Sequence, residues 1–254
     1  MPPSSLSLDQ LRRHAVARSL FAPTTLPKAL QRLGFVQADP LRAPARAQDL
    51  TLRHRVAGYR AGDLEARYAS LDVEEDFFVN YGFVRRDVHH LMHPRMPRIV
   101  WSAGRMKQAA EVLAFVRDRG VVRPAEVDAH FDHGTVTNWF GGNSRASTQL
   151  LDGMHHRGLL RVAWRESGQR LYAVREPQPR VLSDEAAVDA LVDVIVAKYA
   201  PLPAASVGQL VGLLLGGGVP QWRGQRQAVL LRAHARLPSA VVAGVAWLWP
   251  EGEN

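Results

Sequence analysis

The stretch LLRVAWRESGQRLYAV, residues 159–174, decides the fold. Apolar and polar side chains alternate over residues 159–164 and again over residues 170–174. The segment ESGQ, residues 166–169, lies between the two halves, where a chain that reverses direction needs residues that tolerate a tight turn. The stretch therefore predicts a β-hairpin.

Three helical segments precede this hairpin. The first has apolar side chains at helical spacing and ends at Gly120, and the second begins at Pro124. The third follows Ser144, which we expect to cap it, and ends at Gly158. Three helices followed by a hairpin is the element order of a winged helix, a DNA-binding form of the helix-turn-helix motif.

The same order returns after a proline-containing linker at residues 176–180. A helix capped by Asp184 and two further helices lead to a second predicted hairpin at residues 241–250. We therefore expect a mainly α fold with small β-hairpins (α+β), built from tandem winged-helix modules. The predicted domains are residues 1–98, 99–178 and 179–254.

The first of these modules has a less complete signature. The capping box formed by Ser7 and Gln10 begins one helix, and Gly34 ends another. Further helices are expected at residues 44–56 and, capped by Asp63, at residues 64–70, and an aromatic segment at residues 77–84 is predicted to be one strand.

Composition narrows the function. The 254-residue chain is 46% hydrophobic, carries a formal charge of +8 and contains no cysteine, which excludes disulfides, thiolate nucleophiles and cysteine-based zinc sites. No apolar run is long enough to span a bilayer, and the first residues do not resemble a secretory signal. We expect a cytoplasmic, nucleoid-associated monomer with no membrane contact and no cofactor.

The positive charge is carried almost entirely by arginine, since lysine occurs only at positions 28, 107 and 198. Guanidinium groups bind phosphate oxygens in pairs and stack on bases, which favours a nucleic-acid partner. A GC-rich genome also raises arginine content, and both causes stay open.

Two polar side chains interrupt the segment GFVQADP, residues 34–40. On a strand Gln37 and Asp39 point to the same face, so an amide and a carboxylate converge. Asp39 is also a rare acid, because residues 1–60 contain three aspartates, no glutamate and ten lysines or arginines. The pair could hold and activate a water molecule. Alternatively, Asp39 caps the next helix and Gln37 is an ordinary surface residue.

Candidate DNA-binding side chains are those whose types contact phosphates or base edges and that lie near Asp39, on the third helix of the second module, or on its wing. They are Arg42, Arg46, Arg53, Arg55, Asn143, Arg145, Arg157, Arg161, Arg165 and Arg170. Alternatively, the winged helix serves only as a packing module. His89, His90 and His93 lie close in sequence, but their spacing to carboxylates matches no familiar ligand set, so no metal site is predicted.

Several segments resemble the bacterial winged-helix DNA glycosylases of the YcaQ/AlkZ type. The segments are GFVQADP (34–40), RAQDLTLRHRV (46–56), WFGGNSRA (139–146), MHHRGLL (154–160) and VVAGVAWLWP (241–250). In that family the Gln-x-Asp pair is similar to the catalytic signature of one branch, and the sister branch has a second glutamine instead. The resemblance implies excision of N7-alkylated purines, including cross-linked ones, from double-stranded DNA.

The sequence departs from the family pattern in two places. Val79 stands where the family commonly has a glutamate in an aromatic segment. Family members generally continue into a C-terminal β-rich domain, whereas this sequence ends at Asn254, so we expect that domain to be lacking.

The chemistry of N-glycosidic bond hydrolysis predicts a role for each residue of the Gln-x-Asp pair. An N7-alkylated purine is cationic and leaves without a general acid, so the enzyme must stabilise an oxocarbenium-like sugar and direct a water to it. We therefore expect Asp39 to act as electrostatic stabiliser and general base and Gln37 to hold the water. The alternative is a non-catalytic winged-helix DNA-binding protein, which would need neither side chain.

Overall fold

The computed structural model describes residues 6–39, 41, 43–96, 99–131, 134–137 and 143–253, apart from the side chains of residues 136, 137, 143 and 144. The described chain forms three consecutive units, each with helices and a small antiparallel sheet.

The first unit begins at the Ser7–Gln10 capping box, which is present as predicted. Its elements are α1 (Leu8–Ser19), α2 (Leu26–Leu33), β1 (Phe35–Gln37), α3 (Ala47–Arg53), α4 (Asp63–Arg67), β2 (Val73–Phe77), β3 (Tyr81–Arg85) and α5 (Arg86–Met92), with a 3₁₀ turn at Tyr68–Ser70. Gly34 ends α2 with a φ of 67°, where a side chain would also meet Val194. The strands pair in the order β1-β3-β2.

The second unit contains the hairpin that residues 159–174 predict. Its elements are α6 (Ala103–Arg119), β4 (Val121–Val122), α7 (Pro124–Phe131), β5 (Thr135–Thr137), β6 (Asn143–Arg145), α8 (Ala146–His156), β7 (Leu160–Glu166) and β8 (Gln169–Val174). Ser167 and Gly168 both have positive φ, as a two-residue hairpin turn requires. The strand order is β4-β8-β7.

The third unit repeats this arrangement. Its elements are α9 (Asp184–Tyr199), β9 (Leu202–Pro203), α10 (Ala204–Leu213), α11 (Arg226–Arg236), β10 (Ser239–Val242) and β11 (Val245–Leu248), with a π-helical turn at Leu214–Gly218 and a 3₁₀ segment at Pro220–Gln225 before α11. The strand order is β10-β11-β9. In all three units a single strand pairs with the second strand of the hairpin, which confirms the predicted tandem winged-helix fold.

The first sheet lies between two hydrophobic cores. Val36 and Phe83 belong to a core shared with the second unit, whereas Phe35 and Val84 belong to a core shared with the third. Successive residues of a strand point to opposite faces, so one three-stranded sheet serves both cores. The predicted domain boundaries at 98/99 and 178/179 stay predictions. The first core crosses the 98/99 boundary, and the second core joins residues of the first and third predicted domains.

Some local predictions were wrong. The segment 77–84 is not one strand, because β2 ends at Phe77 and β3 begins at Tyr81. The intervening Phe78 and Val79 are buried in the core shared with the third unit, so their hydrophobicity reflects turn packing rather than a strand. The helix expected at 44–56 spans only Ala47–Arg53, and the N-cap residue of α8 is Arg145 rather than Ser144.

Candidate active site

A cavity of about 630 Å³ separates the first unit from the second. Both walls carry charged and aromatic side chains. The first unit contributes Asp39, Arg46, Gln48, Glu65, Phe77 and Tyr81, and the second contributes Asp152, His155, Arg165, Arg170 and Tyr172. We call this cavity the cleft. Four of the residues predicted for catalysis or DNA binding, Asp39, Arg46, Arg165 and Arg170, therefore meet at one place.

Asp39 lies on the cleft wall just beyond the end of β1. The last backbone bond of this segment runs from the Ala38 N–H to the Tyr81 carbonyl, at 2.9 Å. Asp39 is a half-buried residue, and its carboxylate Oδ1 accepts the N–H of Leu41 at 2.8 Å, which closes a local turn. Within the described part of the chain, no other hydrogen bond reaches that carboxylate. Among the described residues, the second carboxylate oxygen of Asp39 has no hydrogen-bond partner, and the N-cap residue of α3 is Arg46 rather than Asp39.

Gln37 is placed differently from the expectation. It is the last residue of β1 and pairs with Gly82, and its side-chain carbonyl accepts from Asn80 at 3.4 Å. The strand ends at Gln37, so strand alternation does not carry over to Asp39, and Gln37 is not among the cleft-lining residues. Its role in holding a water stays a prediction.

The buried side chain of Gln48 is hydrogen-bonded to the backbone of Asp39. The Gln48 side-chain carbonyl accepts the backbone N–H of Asp39 at 3.1 Å, and its amide faces Glu65 at 3.4 Å. Arg46 forms an ion pair with the same Glu65. Gln48, Glu65 and Tyr81 were not identified from sequence. The sequence contains only a weak indication that Gln48 is buried, namely its spacing of one helical turn from the apolar Leu52. In the structure both residues are buried on the inner face of α3.

The wing arginines are paired with acids of the same chain. Arg161 binds Glu74 at 2.8 Å, Arg165 binds Glu75 at 2.9 Å, and Arg170 binds Asp152 at 3.1 Å. Both glutamates are buried on β2, so the first two pairs join the wing to the first unit. A phosphate would have to compete with these carboxylates, and a DNA contact by the three arginines stays a prediction.

The other candidate DNA-binding residues are spread over the surface. Arg42 and the side chain of Asn143 lie outside the described residues. Arg55 donates to the carbonyls of Ser19 and Thr51, Arg145 pairs with Asp128 at 2.8 Å, and Arg157 donates to the Ile99 carbonyl and covers the Trp101 ring. Arg53 is exposed and forms no ion pair with any described residue. Of the described side chains in this set, that of Arg53 is the freest to bind a phosphate.

We expect Arg53→Ala to weaken DNA binding by about the same factor for every duplex, whatever its sequence. One fewer phosphate contact should reduce the slope of log K against log salt by about 1. Fluorescence anisotropy over a salt series measures this slope. Arg236→Ala is a suitable control, because Arg236 already pairs with Asp193 at 2.6 Å in the third unit. Equal slopes for wild type and Arg53→Ala would show that Arg53 lies outside the DNA contact.

A second polar cluster surrounds the buried Asp76, which is also one of the residues that line the cleft. The Nε2 atoms of His89 and His93 lie 2.9 and 3.0 Å from its Oδ2, and Arg95 Nη1 donates to its Oδ1 at 2.7 Å. Asp76 and the two histidines offer three potential metal ligands within 4.8 Å of one another. However, Arg95 already balances the one carboxylate, and a divalent cation would add two more positive charges to the same buried volume. The arrangement fits a hydrogen-bonded network better than a metal centre.

Burial, ion pairing and hydrogen bonding shift the pKa values of several groups in and beside this cluster. Burial would by itself raise the pKa of Asp76, but the charge of Arg95 and the hydrogen bonds from His89 and His93 hold that pKa well below its ordinary value. Burial lowers the pKa of His93 and of His155, an effect that Asp76 only partly offsets. Near neutral pH, Asp76 is therefore ionised, whereas His93 and His155 are neutral.

We expect the protein to lose stability as the pH falls below about 6.5, the ordinary histidine pKa. The pKa values of His93 and His155 are lower in the folded state, so the unfolded chain binds more protons at acidic pH and stability rises with pH in that window. Each histidine contributes about 1.4 kcal/mol per pH unit until its folded pKa is reached. Melting temperatures at pH 7.5, 6.5 and 5.5 test this. His155→Gln should flatten the acid limb, and an unchanged melting temperature at pH 5.5 would contradict the prediction.

Three winged-helix units, the first two of which enclose a cleft with a carboxylate and arginines, are typical of DNA-acting proteins of the winged-helix class. The chain belongs to the DNA glycosylase AlkZ-like family, whose model matches residues 30–253. This confirms the family that the motifs predict. As a member of this family, the protein is a DNA glycosylase, which is a hydrolase of N-glycosyl bonds. It binds DNA and acts in DNA repair.

The structure is similar to that of the Streptomyces sahachiroi DNA glycosylase AlkZ, with a TM-score of 0.61. The match covers 97% of this chain and 70% of that chain at 14% sequence identity, and such a likeness shows the shared fold. No curated protein matches the sequence significantly. Among the described residues, no helix is long and apolar enough to cross a membrane.

Proposed function

We propose that this glycosylase hydrolyses the N-glycosidic bond of N7-alkylated purines, interstrand cross-links included, in double-stranded DNA. The observation that carries the proposal is the position of Asp39. This half-buried residue lies on the wall of a cavity shared by two winged-helix units. Among the described residues, its carboxylate accepts a single hydrogen bond, which comes from its own turn.

Asp39 would act on the sugar rather than on the base. As the C1′–N9 bond breaks, its electron pair neutralises the positive charge of the alkylated purine, so the base leaves without gaining a proton. The carboxylate stabilises the positive charge that develops on the sugar. A water then adds to C1′ and gives its proton to Asp39, which leaves an abasic site and a free base. Gln37 is proposed to hold this water.

The charges on the cleft walls suit such a substrate. Asp39 places negative charge near a cationic base, while Arg46, Arg165 and Arg170 line the same cleft, where each would have to exchange its carboxylate partner for a DNA phosphate. We further propose that the enzyme acts as a monomer on the nucleoid in the cytoplasm, in line with its basic composition.

The test is release of a damaged base. The protein is incubated with a duplex containing N7-methylguanine, with one containing a nitrogen-mustard cross-link, and with the undamaged duplex, and abasic sites are then cleaved and counted. We expect abasic sites only in the damaged duplexes. Binding to one undamaged sequence, without base release from either damaged duplex, would contradict the proposal and favour a non-catalytic DNA-binding protein.

A further inference from the structure

Gln48 is a buried polar residue directly behind the proposed catalytic aspartate. Its side chain lies on the inner face of α3, and the residue is only 2% exposed. A buried amide costs free energy unless its hydrogen bonds are made. Gln48 makes one bond on each side, from the Asp39 N–H to its carbonyl and from its amide to Glu65.

Glu65 determines which way the Gln48 amide faces. An ionised carboxylate only accepts hydrogen bonds, so the side-chain NH₂ of Gln48 must point to Glu65 and its carbonyl must point to Asp39. Arg46 binds Glu65 through the other carboxylate oxygen and holds it in place. The side chains of Glu65 and Arg46 are 18% and 19% exposed, so water competes little for these bonds.

Asp39 needs such a support because it lies outside the sheet. β1 ends at Gln37, and the neighbouring Ala38 makes the last backbone bond to Tyr81. Beyond that point, Asp39 makes two hydrogen bonds with described residues. Its carboxylate accepts the N–H of Leu41 in the same turn, and its own N–H donates to the side-chain carbonyl of Gln48. Among the described residues, only the bond to Gln48 ties Asp39 to another element of the structure.

We propose that Gln48 is a positioning residue that fixes the Asp39 carboxylate on the cleft wall, and that Glu65 orients Gln48 for this task. The inference rests on the proposed function, in which Asp39 is the catalytic carboxylate. A displacement of about 1 Å of a catalytic group can cost about 100-fold in rate. Loss of the Gln48 bond is therefore expected to lower the rate of base release by about 10–100-fold, with little change in DNA affinity.

The experiment compares single-turnover base release from an N7-methylguanine duplex with the Kd for the same duplex and with the melting temperature. The variants are Gln48→Leu, Gln48→Glu, Glu65→Gln and the double variant Gln48→Glu/Glu65→Gln. Gln48→Glu places two carboxylates face to face, whereas the double variant restores one acceptor toward Asp39 and one donor between the side chains. We expect Gln48→Leu and Gln48→Glu to be slow, Glu65→Gln to lose several-fold, and the exchange to recover most of the rate lost in Gln48→Glu.

Tyr59→Phe is the matched control. Its hydroxyl donates to Asp49 at 2.8 Å, so the variant disturbs the adjacent residue of α3 without touching Asp39 or Gln48. We expect wild-type release from it. Equal slowing of Tyr59→Phe and Gln48→Leu would mean that the rate follows helix stability and would overturn the inference.

The remaining outcomes distinguish failure of the positioning role of Gln48 from failure of the proposed function. Wild-type release by both Gln48 variants refutes the positioning role and leaves the proposed function intact. If one Gln48 variant does not fold, the other decides in the same way. If neither folds, Glu65→Leu decides, because leucine removes the acceptor of the Gln48 amide and wild-type release from that folded variant refutes the role. Wild-type release by Asp39→Asn would refute the catalytic role of Asp39 and the inference together.

Discussion

The Asp39→Asn variant is expected to release N7-methylguanine from duplex DNA about 10²–10⁴ times more slowly than the wild type, the range typical of a lost general base. Asparagine keeps the size of the side chain and a carbonyl oxygen that can still accept the N–H of Leu41. It loses the negative charge that stabilises the sugar and the basic oxygen that takes the proton from water. The fold and the DNA affinity should therefore be kept while the chemical step fails.

Single-turnover quench experiments with excess enzyme measure this step directly, because product release does not limit them. Asp152→Asn is the matched control, since Asp152 is a carboxylate on the opposite wall of the same cleft. It accepts from the Tyr172 hydroxyl at 3.0 Å and pairs with Arg170, so it is already engaged. We expect at most a small loss of rate from it. Equal release by wild type and Asp39→Asn would show that another group drives the chemistry.

The sequence predicted the elements that depend on local pattern. The capping box at Ser7, the glycine stop at Gly34 and the two wing hairpins were all confirmed, because each depends on residues within a few positions of one another. The turn at residues 78–80 was missed, since a turn whose side chains are buried in a core has the same apolar pattern as a strand.

The candidate site was only partly predictable for a similar reason. Asp39 stood out because it is a lone acid in a basic segment, and that is a property of the local sequence. The partners of Arg161 and Arg165 are 87 and 90 positions away, so no local pattern shows that these arginines already have carboxylates. Only the packing of β2 against the wing distinguishes an arginine that joins two units from one that is free to bind a phosphate.

Arg95 joins all three units, and Arg95→Met is expected to destabilise the protein by about 3–5 kcal/mol, the usual cost of removing one partner from a buried ion pair. The guanidinium donates to Asp76 and the Phe77 carbonyl in the first unit, to the His156 carbonyl in the second, and to the Gly218 carbonyl in the third. Its side chain is fully buried. Methionine fills part of the volume, but it leaves the Asp76 charge and three carbonyls without this donor.

Urea unfolding followed by tryptophan fluorescence measures the loss, with Arg232→Met as the control. Arg232 also binds an aspartate, Asp189, at 2.9 Å, but its side chain is 27% exposed, and such a pair contributes up to about 1 kcal/mol. Adding Asp76→Asn to Arg95→Met removes the orphaned charge and should recover part of the stability. If Arg95→Met cost no more than Arg232→Met, the buried network would not hold the units together. The position of Asp39 in the cleft would then depend mainly on the apolar cores on either side of the first sheet.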